Sequence, residues 1–378
     1  MNHTKLDGLQ IGRAIAALAV VIFHAKLTLI RFPEESYIRL PYFYEHGDIG
    51  VPFFFVISGF IICYVTDRSD YDATSFFIKR SFRLWPIYAV CTALYVLVYI
   101  LHRDRVPSEL GYNVDYILLS LVFWPMQSYP ALHPGWSLEH EVLFYILAGL
   151  TAIVAGPRTL LMLLLGLVAY GVWGRIGAPA LGLRGLGWDY HVFARVNVCF
   201  AVGIVLYLVW RLRPCPSPTV WIAMGLIAVI AAPYIGQAIP NAFHNAVASA
   251  NLRQQSKLLI EAAGSAVLLY GLIAAPCKGR FARALVHLGD RSYSLYLVHF
   301  VFVAIFQNLH REVVRWPEWM AEPLCVVFVV VSIATAYFLF WTVEQPTNAF
   351  GGRAARTTVS RFPRLRGRNA SSPKSCND

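Results

Sequence analysis

IGRAIAALAVVIFHAKLTLI, residues 11–30, carries Arg13 at its start and His24 among Val20, Val21, Ile22 and Phe23. A run of about 20 apolar residues is long enough to cross a bilayer as a helix. An ionisable side chain held at membrane depth is costly, so Arg13 and His24 read as functional groups whose partners lie elsewhere in the chain. The eleven-residue interval between them turns through about three full turns plus 20°, which places both on one helix face about 16 Å apart. That face joins the membrane edge to its interior.

Working outward, 57% of the 378 residues are hydrophobic and 14% are charged, and mean hydropathy is +0.55. This excludes a soluble globular domain. Ten apolar stretches recur: Ile11–Ile30, Ile49–Thr66, Trp85–Leu101, Ser137–Ala155, Thr159–Trp173, Phe193–Trp210, Thr219–Ile235, Leu258–Pro276, Ser292–Gln307 and Leu324–Val343. The fold class expected is an all-α polytopic membrane protein of about ten transmembrane helices. The first span lacks a small-residue cleavage site, so it reads as a span and not a signal peptide. Formal net charge is +11. With the N-terminus inside, twenty Lys and Arg residues fall in inner segments and ten in outer ones, which sets both termini in the cytoplasm. Because the basic residues follow the loops, they do not describe a nucleic-acid surface. Seven cysteines without a CxxC pair indicate neither a disulfide framework nor a zinc site.

The other spans add candidates. Asp48 stands just before the second span, where a carboxylate suits a helix N-terminus as well as a catalytic role. Gly47, Gly50 and Gly59 would admit a close backbone or a ligand. The inner segment Asp67–Leu84 ends in KRSFRLWP, with Arg80 and Arg83 at i and i+3 on one face and Pro86 at the head of the third span. Two guanidinium forks suit phosphate, and membrane-edge anchoring is the competing reading. Val114–Trp124 is half a span long and reads as interfacial or re-entrant. In the following HPGWSLEHEVLFY, Ser137 is the expected N-cap of the fourth span, with Glu141 one turn inside and Tyr145 one turn further. Glu141 asks for a partner, and a structural ion pair would supply one equally well. Arg195, Asn197 and Glu261 read as packing or substrate contacts. His299 reads as a helix-packing hydrogen bonder. Residues 1–346 are expected to be one membrane domain and 347–378 a basic, disordered cytoplasmic tail on anionic lipid.

Taken together, RAIAALAVVIFH (Arg13 to His24), GVPFFFVISGF (Gly50 to Phe60), RSFRLWP (Arg80 to Pro86), WSLEHEVLFY (Trp136 to Tyr145), SYSLYLVHF (Ser292 to Phe300) and VEQP (Val343 to Pro346) resemble the acyltransferase 3 family of integral membrane acyltransferases, in the family's order. The resemblance is greatest to short members acting on bacterial exopolysaccharides, without a fused extracytoplasmic domain. It implies a multi-pass protein of the bacterial inner membrane, surrounded by lipid, that moves an acyl group from cytoplasmic acetyl-CoA to a hydroxyl of a glycan or lipid-linked saccharide. It maps catalytic roles onto His24, Glu141 and Asp48 and donor binding onto Arg13, Arg80 and Arg83. Trp136, Ser137 and Tyr145 are placed with the acceptor. The chemistry expected is proton removal from the hydroxyl by neutral His24, oriented by Asp48 or Glu141, with no metal. A covalent acyl-histidine is the variant. Small glycosides, antibiotics or peptidoglycan are the alternative acceptors. A secondary transporter and a non-catalytic export subunit are the competing classes, although no internal repeat supports the former. The glycines Gly203 and Gly264 suit internal packing as well as a homodimer.

Overall fold

The computed structural model describes residues 6–29, 41–101, 114–126, 128–175, 188–238, 246–312 and 317–361. In chain order the helices are α1 (Asp7–Ala25), α2 (Pro41–His46), α3 (Gly50–Thr66), α4 (Ala73–Leu101), α5 (Val114–Leu121), α6 (Gly135–Val154), α7 (Pro157–Arg175), α8 (Trp188–Val192), α9 (Asn197–Leu212), α10 (Pro218–Ala238), α11 (Ala246–Ala274), α12 (Arg280–Asp290), α13 (Ser292–Glu312), α14 (Ala321–Leu339) and α15 (Gln345–Arg361). There is no β-strand among the described residues. Eight helical stretches, those of α1, α3, α4, α6, α9, α10, α11 and α14–α15, are long and apolar enough to cross a membrane, and α7 and α13 contain shorter apolar helices. The ten expected spans fall on these ten helices.

Several boundaries differ from the expectation, each for a local reason. The segment expected to be an inner loop through Leu84 is helical from Ala73, because Asp72 Oδ1 accepts the Ser75 N–H at 2.7 Å and caps the start. Arg80 and Arg83 therefore sit inside a 29-residue helix of about 43 Å, at about 1.5 Å per residue, and Pro86 lies within it and not at its head. Ser137 is not an N-cap: α6 begins at Gly135, and the Ser137 hydroxyl donates back to Pro134 O at 2.9 Å. The first span's α-helix ends at Ala25 and tightens into a 3₁₀ turn over Lys26–Leu29. The tail expected to be disordered from 347 is helical to Arg361, since α15 continues α14 through a π-helical turn at Phe340–Glu344 and packs on α4, Phe82 against Phe350. The rest of that tail, 362–378, lies outside the described residues.

α5, with eight residues, is too short to cross. Its C-terminal carbonyl, Leu121 O, accepts from Trp85 Nε1, and Ser120 Oγ lies 2.8 Å from the Tyr88 hydroxyl. Trp85 precedes the end of α4 by sixteen residues, about 24 Å of helix, so the chain turns back into the bundle beside α4 before α6 begins. The half-length stretch is re-entrant, and it sets the head of α6 deep among the other helices.

Glycine governs two of the closest crossings. A Cβ on Gly59 would stand 2.3 Å from Phe200 O, and one on Gly203 2.2 Å from Val56 O, so α3 and α9 meet backbone to backbone. Gly47 and Gly50 face Ala19 O and Ala16 O in the same way and pin the head of α3 to α1. These glycines admit backbone, not ligand. Gly203→Leu should therefore cost at least the roughly 1–3 kcal/mol of overpacking. It should lower the thermal unfolding temperature in detergent, whereas Gly166→Leu, with no atom within 4 Å of its would-be Cβ, should leave it unchanged.

Candidate active site

Helices α1, α3, α4, α6 and α13 enclose a small cavity of about 70 Å³ walled by Arg13, Ser58, Arg80, Arg83, Glu141, Tyr145, Tyr293 and Tyr296, with apolar side chains of α3 between them. The i, i+3 spacing on α4 turns Arg80 and Arg83 to the same wall. On α6 the i, i+4 spacing brings Tyr145 to Glu141, whose Oε1 accepts both the Tyr145 hydroxyl and, at 2.7 Å, the Ser58 hydroxyl from α3. The Arg80 guanidinium lies over the rings of Phe76 and Tyr145, at 5.6 and 5.3 Å. Arg13 is buried and reaches Gln10 Oε1 at 3.5 Å. Of the residues expected to act, Arg13, Arg80, Arg83, Glu141, Ser137 and Tyr145 are thus assembled around one space.

Glu344 completes the charge set. The π-helical turn adds a residue to the coil and rotates Glu344 inward, where it is 3% exposed and accepts from Ser294 Oγ, within electrostatic reach of Arg83 and Arg13. Arg80 and Arg83 also line a second cavity, of about 500 Å³, which lies between the 65–72 connection, the first turns of α4 and Asn348 and Gly352 of α15. Lys79 and Ser75 add donors there. Among the described residues neither Arg80 nor Arg83 makes a close ion pair; Arg80 hydrogen-bonds the Tyr145 hydroxyl and Arg83 lies within electrostatic reach of Glu344, and both line the vestibule.

His24 stands apart from this cavity, on the side of α1 that faces α13. Its Nδ1 lies 3.0 Å from Val20 O, and a carbonyl only accepts, so Nδ1 carries the hydrogen. By the same argument the His299 hydrogen is on Nδ1, 3.2 Å from Leu295 O. His299 Nε2 then presents a lone pair to His24 Nδ1 at 3.2 Å, and the lone pair of His24 is left on Nε2. Among the described residues no carboxylate is hydrogen-bonded to His24: Asp48, within electrostatic reach of it, is bound to Lys257 Nζ at 3.2 Å, Glu141 accepts from Ser58 and Tyr145, and the side chain next to His24 Nδ1 is that of His299. Tyr296, one turn below His299 and 5.9 Å from it between ring centroids, separates the pair from the cavity. From the re-entrant segment His133 stacks on Phe300, which also packs edge-on against His24, and burial pushes the His133 imidazole below its ordinary range.

Asp48 and Trp136 face a different space, a cleft at the end of the bundle opposite the Arg80–Arg83 cavities. Sequence reasoning understated His299 and passed over Ser58, Tyr293 and Tyr296. The signal available for the last two was the hydroxyl-rich SYSLY run, whose i, i+3 tyrosines share a face.

The acyltransferase 3 family, described as an acyltransferase domain, matches residues 6–341. The chain is 25% identical over 377 residues to acyltransferase MdmB of Streptomyces mycarofaciens, covering 92% of this chain and 93% of that one. It is 27% identical over 344 residues to nodulation protein 10 of Rhizobium leguminosarum bv. viciae, covering 79% and 81%. A shorter match, 35% over 105 residues, links 26% of this chain to the exopolysaccharide production protein ExoZ of Rhizobium meliloti (strain 1021), of which it spans only 32%. No solved structure matches. With the motif residues gathered around one polar cavity inside an apolar helix bundle, and the family match running over nearly the whole chain, this protein belongs to the acyltransferase 3 family and is a multi-pass membrane acyltransferase.

Proposed function

We propose that the protein transfers an acyl group, acetyl in the first instance, from acyl-CoA to a hydroxyl of a glycan such as an exopolysaccharide or lipid-linked oligosaccharide. The observation that carries the donor side is the pair Arg80 and Arg83, exposed at once to the 500 Å³ vestibule and to the inner cavity. Guanidinium forks that make no close contact with a carboxylate suit phosphates, and Lys79 adds a point charge beside them. Coenzyme A, when bound, would supply the acyl group activated as a thioester. The vestibule lies at the end that carries Lys79, Arg80, Arg83, Arg353 and Arg356, the end that the positive-inside rule assigns to the cytoplasm, where acyl-CoA is found. One relative is named for exopolysaccharide production and another as an acyltransferase, which support the glycan and the transfer respectively.

On the acceptor side, a sugar hydroxyl is a poor nucleophile until its proton is taken in the transition state. His24 Nε2 is the lone pair available for that step, and as it becomes protonated the new charge is shared through Nδ1–H with His299 Nε2 and Val20 O. Arg13 and Arg83 face the inner cavity, where with Arg80 they would hold the donor's phosphates and direct the thioester towards His24, and Glu141 and Glu344 hold their charge in balance.

Purified protein in lipid, given radiolabelled acetyl-CoA and a glycan, should release coenzyme A and label the glycan. His24→Ala should slow label transfer about 100-fold or more, the usual scale for a lost general base, while the protein still elutes as a folded species. Arg83→Lys keeps the charge but loses the fork, and should raise the KM for acetyl-CoA roughly tenfold with a smaller effect on kcat. A fully active His24→Ala overturns the base assignment, and wild type that releases no coenzyme A overturns the donor.

Glu141→Gln keeps an acceptor oxygen for Ser58 and Tyr145 but removes the charge opposite Arg13 and Arg80. It should cut label transfer at least tenfold in the same assay and, by leaving buried Arg13 short of a counter-charge, lower the unfolding temperature.

A further inference from the structure

Glu344 reaches the cavity through the π-helical turn at Phe340–Glu344. A helix turns by about 100° per residue, so the residue inserted there decides whether the carboxylate faces Arg13 and Arg83 or points away from them. π-Helical geometry is rare on its own account, and its neighbours must hold it. The start of α13 does so at two points. Ser294 offers Glu344 both its hydroxyl and its backbone N–H, which fixes the end of the turn. Arg291, three residues earlier, fixes its beginning.

Arg291 closes α12 and is 7% exposed. Its guanidinium lies over the rings of Tyr337, Phe340 and Trp341, at 4.4, 4.6 and 5.6 Å from their centroids, and its Nη1 donates to His287 O at 2.6 Å. Tyr337, Phe340 and Trp341 stand at i, i+3 and i+4, so one cation grips a single face at the end of α14. Cation–π attraction is strongest where the cation is desolvated, as it is here. We propose that Arg291 is a positioning residue of the donor site: its clamp on this aromatic face keeps the π-helical turn and thereby sets the azimuth at which Glu344 meets Arg13 and Arg83. The inference rests on the acyl-transfer reading for its ligand and on geometry alone for the clamp.

The sign of the effect separates this role from plain packing. With the clamp lost, the end of α14 is free to take regular helical turns, and Glu344 rotates out of the cavity. Arg83 then loses that carboxylate, and Arg13 keeps only Glu141. A buried cation short of a counter-charge is costly, and the phosphates of a ligand answer the deficit. Coenzyme A should therefore bind more tightly, whereas damaged packing would weaken its binding.

The test is equilibrium binding of radiolabelled coenzyme A to the full-length protein in lipid. Arg291→Met keeps the reach of the side chain and removes its charge; it should lower Kd about threefold or more, and Glu344→Gln should do the same. The double variant should bind no more tightly than either single one, because both act on one carboxylate. Arg291→Lys returns a cation to the rings and should bring Kd back to within about twofold of wild type. Weaker or unchanged binding in Arg291→Met, or an effect that adds in full to that of Glu344→Gln, would overturn the proposal. A second readout needs no coenzyme A. The thiol introduced by Glu344→Cys, buried beside Ser294, should react with a maleimide about tenfold faster or more once Arg291→Met is added, with the labelled position identified by mass spectrometry. An unchanged rate would overturn the clamp. Where Arg291→Met does not fold, Trp341→Leu removes one wall of the clamp at an exposed position and should move both readouts in the same directions; failure to do so is equally fatal. Wild type that binds no coenzyme A would strike the donor reading, and the labelling rate would then decide the clamp by itself.

Discussion

Arg13, Arg83, Glu141 and Glu344 come from α1, α4, α6 and the turn after α14, and each is within electrostatic reach of another across the same buried space. Removing one partner from such a set leaves an uncompensated charge in an apolar interior, a loss of about 3–5 kcal/mol. No two of these four helices are adjacent in sequence, so compensation is reached only when the whole bundle has closed. The charge set thereby couples assembly of the site to assembly of the fold. It also accounts for the π-helical turn at Phe340–Glu344, since a regular helix would not turn Glu344 inward at that height.

Depth is set by a second device. Because the chain re-enters beside α4 and ties Ser120 to Tyr88, α6 starts at Gly135 inside the bundle. Tyr88 OH would be 2.6 Å from a Cβ on Gly135, which is how closely that corner is packed. Trp136 and Ser137 are consequently set between the two polar spaces, one residue facing each, and Glu141 falls a turn deeper beside Ser58. The opposite boundary is made by α4, which is longer than a bilayer requires, and by α15 packed against its first turns. Their overhang builds the vestibule that shares Arg80 and Arg83 with the cavity.

The spans were legible because an apolar run of about twenty residues exceeds what the core helix of a soluble domain carries, and the glycines because small residues in such runs signal close helices. Tyr145 beside Glu141, and Arg80 beside Arg83, followed from helix periodicity alone. What could not be read is what depends on azimuth between helices distant in sequence. Arg13 and His24 share a face by arithmetic, yet Arg13 meets the cavity and His24 meets α13, because the neighbours along that face change over about 16 Å of helix. Asp48 looked equally suited to a helix N-terminus and to His24; Lys257, 209 residues away, took it. The basic stretch after Gln345 read as a polar tail because its composition is that of disorder, whereas its apolar contacts, Phe350 and Gly351 against Phe82, are few but sufficient to hold a helix.

The histidine pair changes how the chemistry is organised. A carboxylate partner would hold His24 as a permanent ion pair after protonation, whereas His299, itself neutral with its hydrogen committed to Leu295 O, offers a lone pair without a charge. Such a partner orients the ring and, in the proposed reading of His24 as the base, would stabilise the imidazolium only through dipoles. Tyr296 sits between this pair and the cavity, fixed by Ser137 and Pro134 at the deep end of the re-entrant segment. His24 is thus held apart from the space lined by Arg80 and Arg83, by a side chain anchored to the same corner that sets the depth of α6. The histidine pair and the arginine-lined cavity are therefore separate compartments, and the element that divides them is the one that positions both.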